Sequence, residues 1–320
     1  MKKILYVASA VAFMACGSSK NASNDDANVD QAAKYAATIT AKDLGAHLFT
    51  YASDEFEGRN TGEPGQKKAV EYLKNFYVSE GIVSPLGGDD YFQEVPAEWI
   101  NKNTRRGKFK DSENVVAFIK GTEKPEEIVV ISAHLDHEGI KNGEIYNGAD
   151  DDASGTAALF AIAAYFKKHK PKHTLVFAAV DAEEIGSLGA DYWLKNYPNK
   201  KDIVLNVNMD MIAHNDSNEL YACGTYHYPQ LKAPLQNLAS PINLLFGHDN
   251  PEDKTKDDWT LSSDHRIFHK EKIPFIYFGV EDHKDYHKPT DTFKNINQQF
   301  YIEAVKLIIE AIEKYDTVLE

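Results

Sequence analysis

The chain has 320 residues, 42% of them hydrophobic and 26% charged, with a formal net charge of -14. These proportions suit a globular enzyme of one or two domains with material for a large core. The acidic balance, with no basic stripe, excludes a nucleic-acid partner. The two cysteines, Cys16 and Cys223, exclude a disulfide framework and a Cys-x-x-Cys zinc site, so any zinc must be held by histidines and carboxylates.

Residues 1–15 open with Lys2 and Lys3 and continue as an apolar run too short to span a bilayer, the layout of an export signal. The segment A-C-G-S-S around Cys16 resembles the processing site of a bacterial lipoprotein, in which the cysteine carries the lipid. Residues 16–38 are small, polar and acidic and read as a disordered tether. The expectation is a protein exported to the bacterial cell envelope, touching membrane only through an anchor at Cys16. One folded domain is expected over residues 39–320.

Within that domain a helix beginning near residue 40 carries Leu44, Leu48 and Tyr51 on one face. A turn-rich stretch over 52–66 precedes a second helix over 67–80. For Glu57-Gly58-Arg59 in that stretch, spacing alone favours a surface loop over a buried ionic turn. Strands are expected at 115–120 and 127–133, the second a near-continuous apolar run of the kind buried on both faces. There follow a helix over 153–169, a strand over 174–180, a helix over 188–197 and a strand over 203–211 that brings Asp210 to its end. A strand over 220–223, a helix over 230–239, a strand over 275–280 and a closing helix over 298–314 complete the pattern. Alternating strands and helices predict an α/β fold, with a mainly parallel central sheet and helices on both faces.

Polar clusters stand at the ends of the apolar runs: His134 and Asp136 after IVVISA, Asp150-Asp151-Asp152 before an Ala-rich helix, and Glu183-Glu184 after TLVFAAVDA. In such sheets, residues at strand ends converge on the carboxyl edge. His134 with Asp136 two residues on is a zinc ligand with an acceptor for its second nitrogen, or equally a structural pairing. Three adjacent carboxylates repel one another unless a cation collects them, although an acidic helix start also favours them. One of Glu183 and Glu184 can bind metal while the other stays free as a base. Asp210 must be solvated, paired or metal-bound. His287 lies in D-Y-H-K-P-T-D-T, with His265, His269 and His283 as nearby alternatives. Cys223 reads as a buried core thiol.

Taken together, H-L-D-H, G-A-D-D-D-A-S-G, D-A-E-E-I-G-S, N-M-D-M and Y-H-K-P-T-D-T resemble the co-catalytic zinc aminopeptidases of the M28 peptidase family, over residues 40 to 318. The resemblance implies a zinc-dependent exopeptidase fold and two zinc ions per chain. One ion would take His134 and Asp210, the other Glu184 and His287, with Asp151 bridging them. Asp136 would orient His134, and Glu183 would be the general base that activates a metal-bridging hydroxide. Substrates would be peptides with a free N-terminus. The family also implies a cis peptide between Asp151 and Asp152. Only a short segment occupies residues 94–115, where some members carry an inserted domain. Two other readings of the fold remain: a single-zinc glutaminyl cyclase and a non-catalytic binding ectodomain. Metal count separates the three. Pocket walls are expected from loops 213–230 and 247–270; the preferred N-terminal residue and the oligomeric state are not written in the sequence.

Overall fold

The computed structural model describes residues 41–319. The expected export signal, the anchor at Cys16 and the whole tether lie outside them. In chain order the elements are α1 (Ala41–Tyr51), a 3-10 turn (Asp54–Arg59), α2 (Pro64–Glu80), β1 (Phe92–Val95), α3 (Ala97–Asn103), β2 (Ser112–Ile119) and β3 (Lys124–His134). Next come the hairpin β4 (Gly139–Lys141) and β5 (Glu144–Tyr146), then α4 (Ala153–Lys168), β6 (His173–Val180), α5 (Leu188–Asn196) and β7 (Ile203–Met209). The chain ends with β8 (Glu219–Cys223), β9 (Asn243–Phe246), α6 (His265–Lys270), β10 (Phe275–Gly279) and α7 (Gln298–Val318).

Eight strands form one sheet in the order β1-β2-β6-β3-β7-β10-β8-β9. The four central strands β6, β3, β7 and β10 run parallel to one another. Antiparallel pairing appears toward the edges, at β1–β2, β2–β6 and β8–β10. The period-two alternation of each strand decides what covers it. Val129, Ile131 and Ala133 of β3 join Leu175, Phe177, Leu205 and Val207 in a large core with α1, α2, α4 and α7. Ile128 and Val130 face the other way, against Trp193 and Leu194 of α5 and Phe268 of α6. A strand between two apolar layers must be apolar throughout, which is why β3 and β6 read as unbroken hydrophobic runs.

Helix α4 is buried from Ala153 to Tyr165. Its alanines let it lie close to the sheet. On the other face, buried Asn206 and Asn208 donate within the fold: Asn206 to Ser132 Oγ at 2.9 Å, and Asn208 to Ser263 Oγ at 3.0 Å.

Two expectations need correction. The helix expected over 230–239 is two 3-10 turns, Pro229–Leu231 and Ala233–Leu235. Pro229 and Pro234 lack the N–H that a helix ladder needs. The strand expected over 203–211 stops at Met209, so Asp210 is already in the turn beyond it. The 94–115 segment is short, as expected: α3 and the paired ends of β1 and β2 fill it and build an antiparallel edge. Strands β1 and β9 and the β4–β5 hairpin, three or four residues each, were too short to carry a period.

Candidate metal centre

His134, the last residue of β3, is buried, and its Nε2 lies 3.0 Å from Asp151 Oδ1 and 3.5 Å from Asp210 Oδ1. His287 Nε2 lies 3.0 Å from the other oxygen of the same carboxylate, Asp151 Oδ2, and 3.4 Å from Glu184 Oε2. One carboxylate therefore faces two imidazoles, one with each oxygen. These five residues, 153 positions apart at the extremes of the sequence, meet at the carboxyl ends of β3, β6, β7 and β10. The peptide between Asp151 and Asp152 is cis.

The three adjacent aspartates do three different things. Asp152 caps α4: its Oδ1 accepts from Gly155 N at 2.8 Å and Met211 N at 3.3 Å, and its Oδ2 from His134 N at 3.1 Å. One side chain thus ties the helix start to the ends of β3 and β7. Asp150 Oδ1 accepts from Ala213 N at 2.6 Å, and its Oδ2 lies 3.1 Å from His283 Nε2. Only Asp151 faces the cleft of ligands. Its own N–H, like that of Asp150, donates to Asp291 from the His287 loop. Burial first, then Asp150, raises Asp291 to about 6.

Asp136 does not meet His134 through its carboxylate, which stands 3.6 Å from Nδ1. His134 Nδ1 lies 3.1 Å from the Asp136 backbone carbonyl instead. The carboxylate accepts from Glu183 N at 3.0 Å and Glu184 N at 3.3 Å, so it shapes the turn that carries both glutamates. Glu183 Oε1 accepts from Ser187 Oγ at 3.0 Å. Burial, with the nearby carboxylates of Asp264, Asp210 and Glu184, holds Glu183 well above the usual carboxylate range.

The electrostatics describe acids in excess. Burial opposes ionisation of Glu184, yet His137 and His287 pull it down to about 2. His287 rises to about 10 against its own burial, because Asp151 and Glu184 face it. Asp264, beneath Glu183, has both carboxylate oxygens buried without a hydrogen-bond partner, and burial lifts it to about 7. Histidines and carboxylates converging without a thiol make a donor set that suits zinc. Glu184 Oε1 is likewise buried without a hydrogen bond, and His137, Asp151 and Glu184 form one compact donor group. The residues present fit two ions that share Asp151.

Three features here escape a spacing argument. The surface loop favoured for residues 57–59 is incorrect: Arg59 is wholly buried. Its guanidinium donates to the carbonyls of Leu135 at 3.0 Å, Tyr51 at 3.1 Å, Asn147 at 2.7 Å and Gly148 at 3.0 Å. It clamps the loop after β3 to the loop before α4. His137 is also fully buried, with Nδ1 2.7 Å from Glu184 Oε1. The other histidines near His287 have separate places. His283 stacks on His214 at 3.8 Å, with Nε2 on Asp150 and Nδ1 accepting from Asp285 N. His265 Nε2 meets the Trp259 carbonyl at 2.9 Å and His269 the Tyr228 hydroxyl at 3.0 Å.

A cleft of about 440 Å³ opens over the centre, with Arg106, Asp257, Trp259, Leu261 and Tyr286 among its walls. The 247–270 loop supplies a wall as expected. The 213–230 loop supplies none of the lining; its Gly224 and Tyr226 N–H groups donate to Asp249.

In the solved structure of LapA aminopeptidase from Legionella pneumophila the same fold recurs, with a TM-score of 0.67 at 16% identity over 91% of this chain and 76% of that one. A Zn-dependent exopeptidase from Parabacteroides distasonis matches with a TM-score of 0.66 at 18% identity, over 86% and 98% of the two chains. A probable zinc metalloprotease of Leptosphaeria maculans is 38% identical over 99 residues, 29% of this chain and 23% of that protein. The matched stretch spans about a quarter of that relative's length. The family model described as peptidase family M28 matches residues 114–312, more than half of the sequence, and the chain belongs to that family.

Proposed function

We propose that the chain is a zinc aminopeptidase working with two ions per chain. The observation that carries this reading is Asp151, whose oxygens each stand 3.0 Å from a different imidazole, His134 and His287. When bound, two zinc ions would supply Lewis-acid polarisation of the scissile carbonyl and would acidify a water toward neutrality. His134 and Asp210 would hold one ion, Glu184 and His287 the other, and Asp151 both. Glu183 stays outside both ligand pairs and is the general base: it takes the proton of the attacking water and delivers it to the leaving amine. Burial raises its proton affinity, which favours its taking that proton. The carboxylate surplus favours a cationic α-amine at the substrate's end. The structural neighbours, an aminopeptidase and a Zn-dependent exopeptidase, support the same class.

The test is a panel of aminoacyl-p-nitroanilides and a glutaminyl peptide, assayed with and without chelator, alongside a zinc count. Chelator-sensitive release of the N-terminal residue with two zincs is expected; pyroglutamate formation with one zinc would overturn the reading. Glu183→Gln should keep both ions and lose at least a thousandfold in kcat, a loss typical of a proton-transfer group. Retention of more than about a tenth of the activity would remove Glu183 from this role.

Export and lipid anchoring at Cys16 belong to the same proposal. They rest on the basic and apolar residues 1–15 and the A-C-G-S-S segment. Mass spectrometry of the mature N-terminus tests them, and an unmodified Cys16 would refute the anchor.

A further inference from the structure

His137 lies in none of the ligand roles above, yet it is 1% exposed and sits within the centre. Its Nδ1 stands 2.7 Å from Glu184 Oε1 and 3.8 Å from Asp151 Oδ2. Among the described residues neither of its ring nitrogens has a fully formed hydrogen bond. A buried imidazole with nothing else to bond is costly unless one contact is its purpose. The ring's position is fixed from two sides. Gly148, with φ +53°, lies against its face, where a Cβ would collide with the ring. The backbone N–H of His137 donates to the Arg59 carbonyl at 3.4 Å.

The division of Glu184 completes the picture. Its Oε1 faces His137 and its Oε2 faces His287. We infer that His137 is a positioning residue for the ion held by Glu184 and His287, its Nδ1–H fixing Oε1 so that Oε2 alone is presented to that ion. The inference rests on the two-ion reading proposed above. A ligating carboxylate that is itself held by a donor is pre-set for its ion, and loss of such a holder costs roughly 10–100-fold in metal affinity. The ion held by His134 and Asp210 has no contact with His137 and is left unaffected.

Two substitutions of similar polarity separate this role from mere filling of space. His137→Asn places an amide nitrogen where Nδ1 stands, bonded to Cγ; His137→Gln places it one bond further out. Zinc affinities are measured by chelator competition on the full-length protein and repeated in two backgrounds. His134→Ala leaves the Glu184–His287 ion, and His287→Ala leaves the other. His137→Gln should weaken the ion remaining in the His134→Ala background by about 10–100-fold, leave the ion in the His287→Ala background unchanged, and be largely rescued by Asn. Equal weakening of both ions with a lower melting temperature of the metal-free protein would make His137 a packing residue and overturn the inference. Wild-type affinity in His137→Gln, or a loss in His137→Asn as large as in Gln, would overturn it too. A wild-type protein that binds fewer than two zincs would instead defeat the two-ion reading, a result read before any His137 variant is made.

Discussion

The two edges of the central sheet use the same residue types to opposite ends. At the amino edge, His173 opens β6 with Nδ1 2.9 Å from Asp316 Oδ1 and Nε2 3.3 Å from Glu127. Asp316, in α7, also accepts the backbone N–H groups of Lys172 and His173, each at 2.8 Å. That carboxylate is saturated by protein donors, and its work is to pin the closing helix to the sheet. At the carboxyl edge, His134 and His287 meet Asp151, Asp210 and Glu184, whose facing oxygens accept from no backbone N–H among the described residues. Imidazole beside carboxylate thus means a structural clamp where the donors are complete and an ion site where they are short.

The contrast can be broken most severely at Asp151. Asp151→Ala should abolish binding of both proposed zincs and nearly all activity, because on the two-ion reading both would share that side chain. A variant still holding two zincs by elemental analysis would show that the site is not built around a bridge. Next comes the cation that holds the two loops of the carboxyl edge together. Arg59→Met leaves four buried carbonyls without their donor and should cost about 3–5 kcal/mol in denaturant unfolding of the metal-free protein. A loss under about 1 kcal/mol would mean that water replaces the guanidinium there.

His265 is a third kind of histidine, buried with its ring against Phe275 and its Nε2 on a backbone carbonyl. Burial depresses it to about 3, from an ordinary 6.5. Above pH 6.5 both folded and unfolded chains carry it neutral and it contributes no pH dependence. As the pH falls from 6.5 toward 3 the unfolded chain takes a proton that the folded chain refuses, so stability is lost at up to ~1.4 kcal/mol per pH unit, or roughly 4 kcal/mol in all. His265→Gln should flatten that part of the stability–pH curve; an unchanged slope would place the acid sensitivity elsewhere. The smallest effect belongs to the saturated edge. Asp316→Ala should cost about 1–3 kcal/mol through two orphaned N–H groups and a loosened α7, with zinc binding and kcat unchanged. Any loss of metal in that variant would show that the two edges are coupled.

The layered sheet was legible because strands covered on both faces must be apolar without interruption, as β3 and β6 are. The convergence of the five candidate ligands was legible through resemblance and through their place at strand ends. Arg59 and His137 were not. Arg59 acts through carbonyl partners, and carbonyls leave no trace in side-chain spacing. His137 follows Asp136 by one position, and no periodicity assigns a side chain in a loop. The helix misplaced at 230–239 failed for a visible reason, since both prolines were there to be weighed. Asp136 shows a subtler limit: its position beside His134 was plain, but the peptide groups it holds come from residues 183 and 184.

The clamp made by Arg59 sets how short a working fragment of this protein can be. The sheet and all five ligands lie downstream of residue 111, so a truncation beginning at β2 keeps every strand except β1. It would also part the loops that Arg59 unites, and remove Thr61, whose hydroxyl reaches Asp181 at 3.0 Å. Such a piece could retain secondary structure while its ligands drift apart, so the helices that precede the sheet belong to the smallest competent unit.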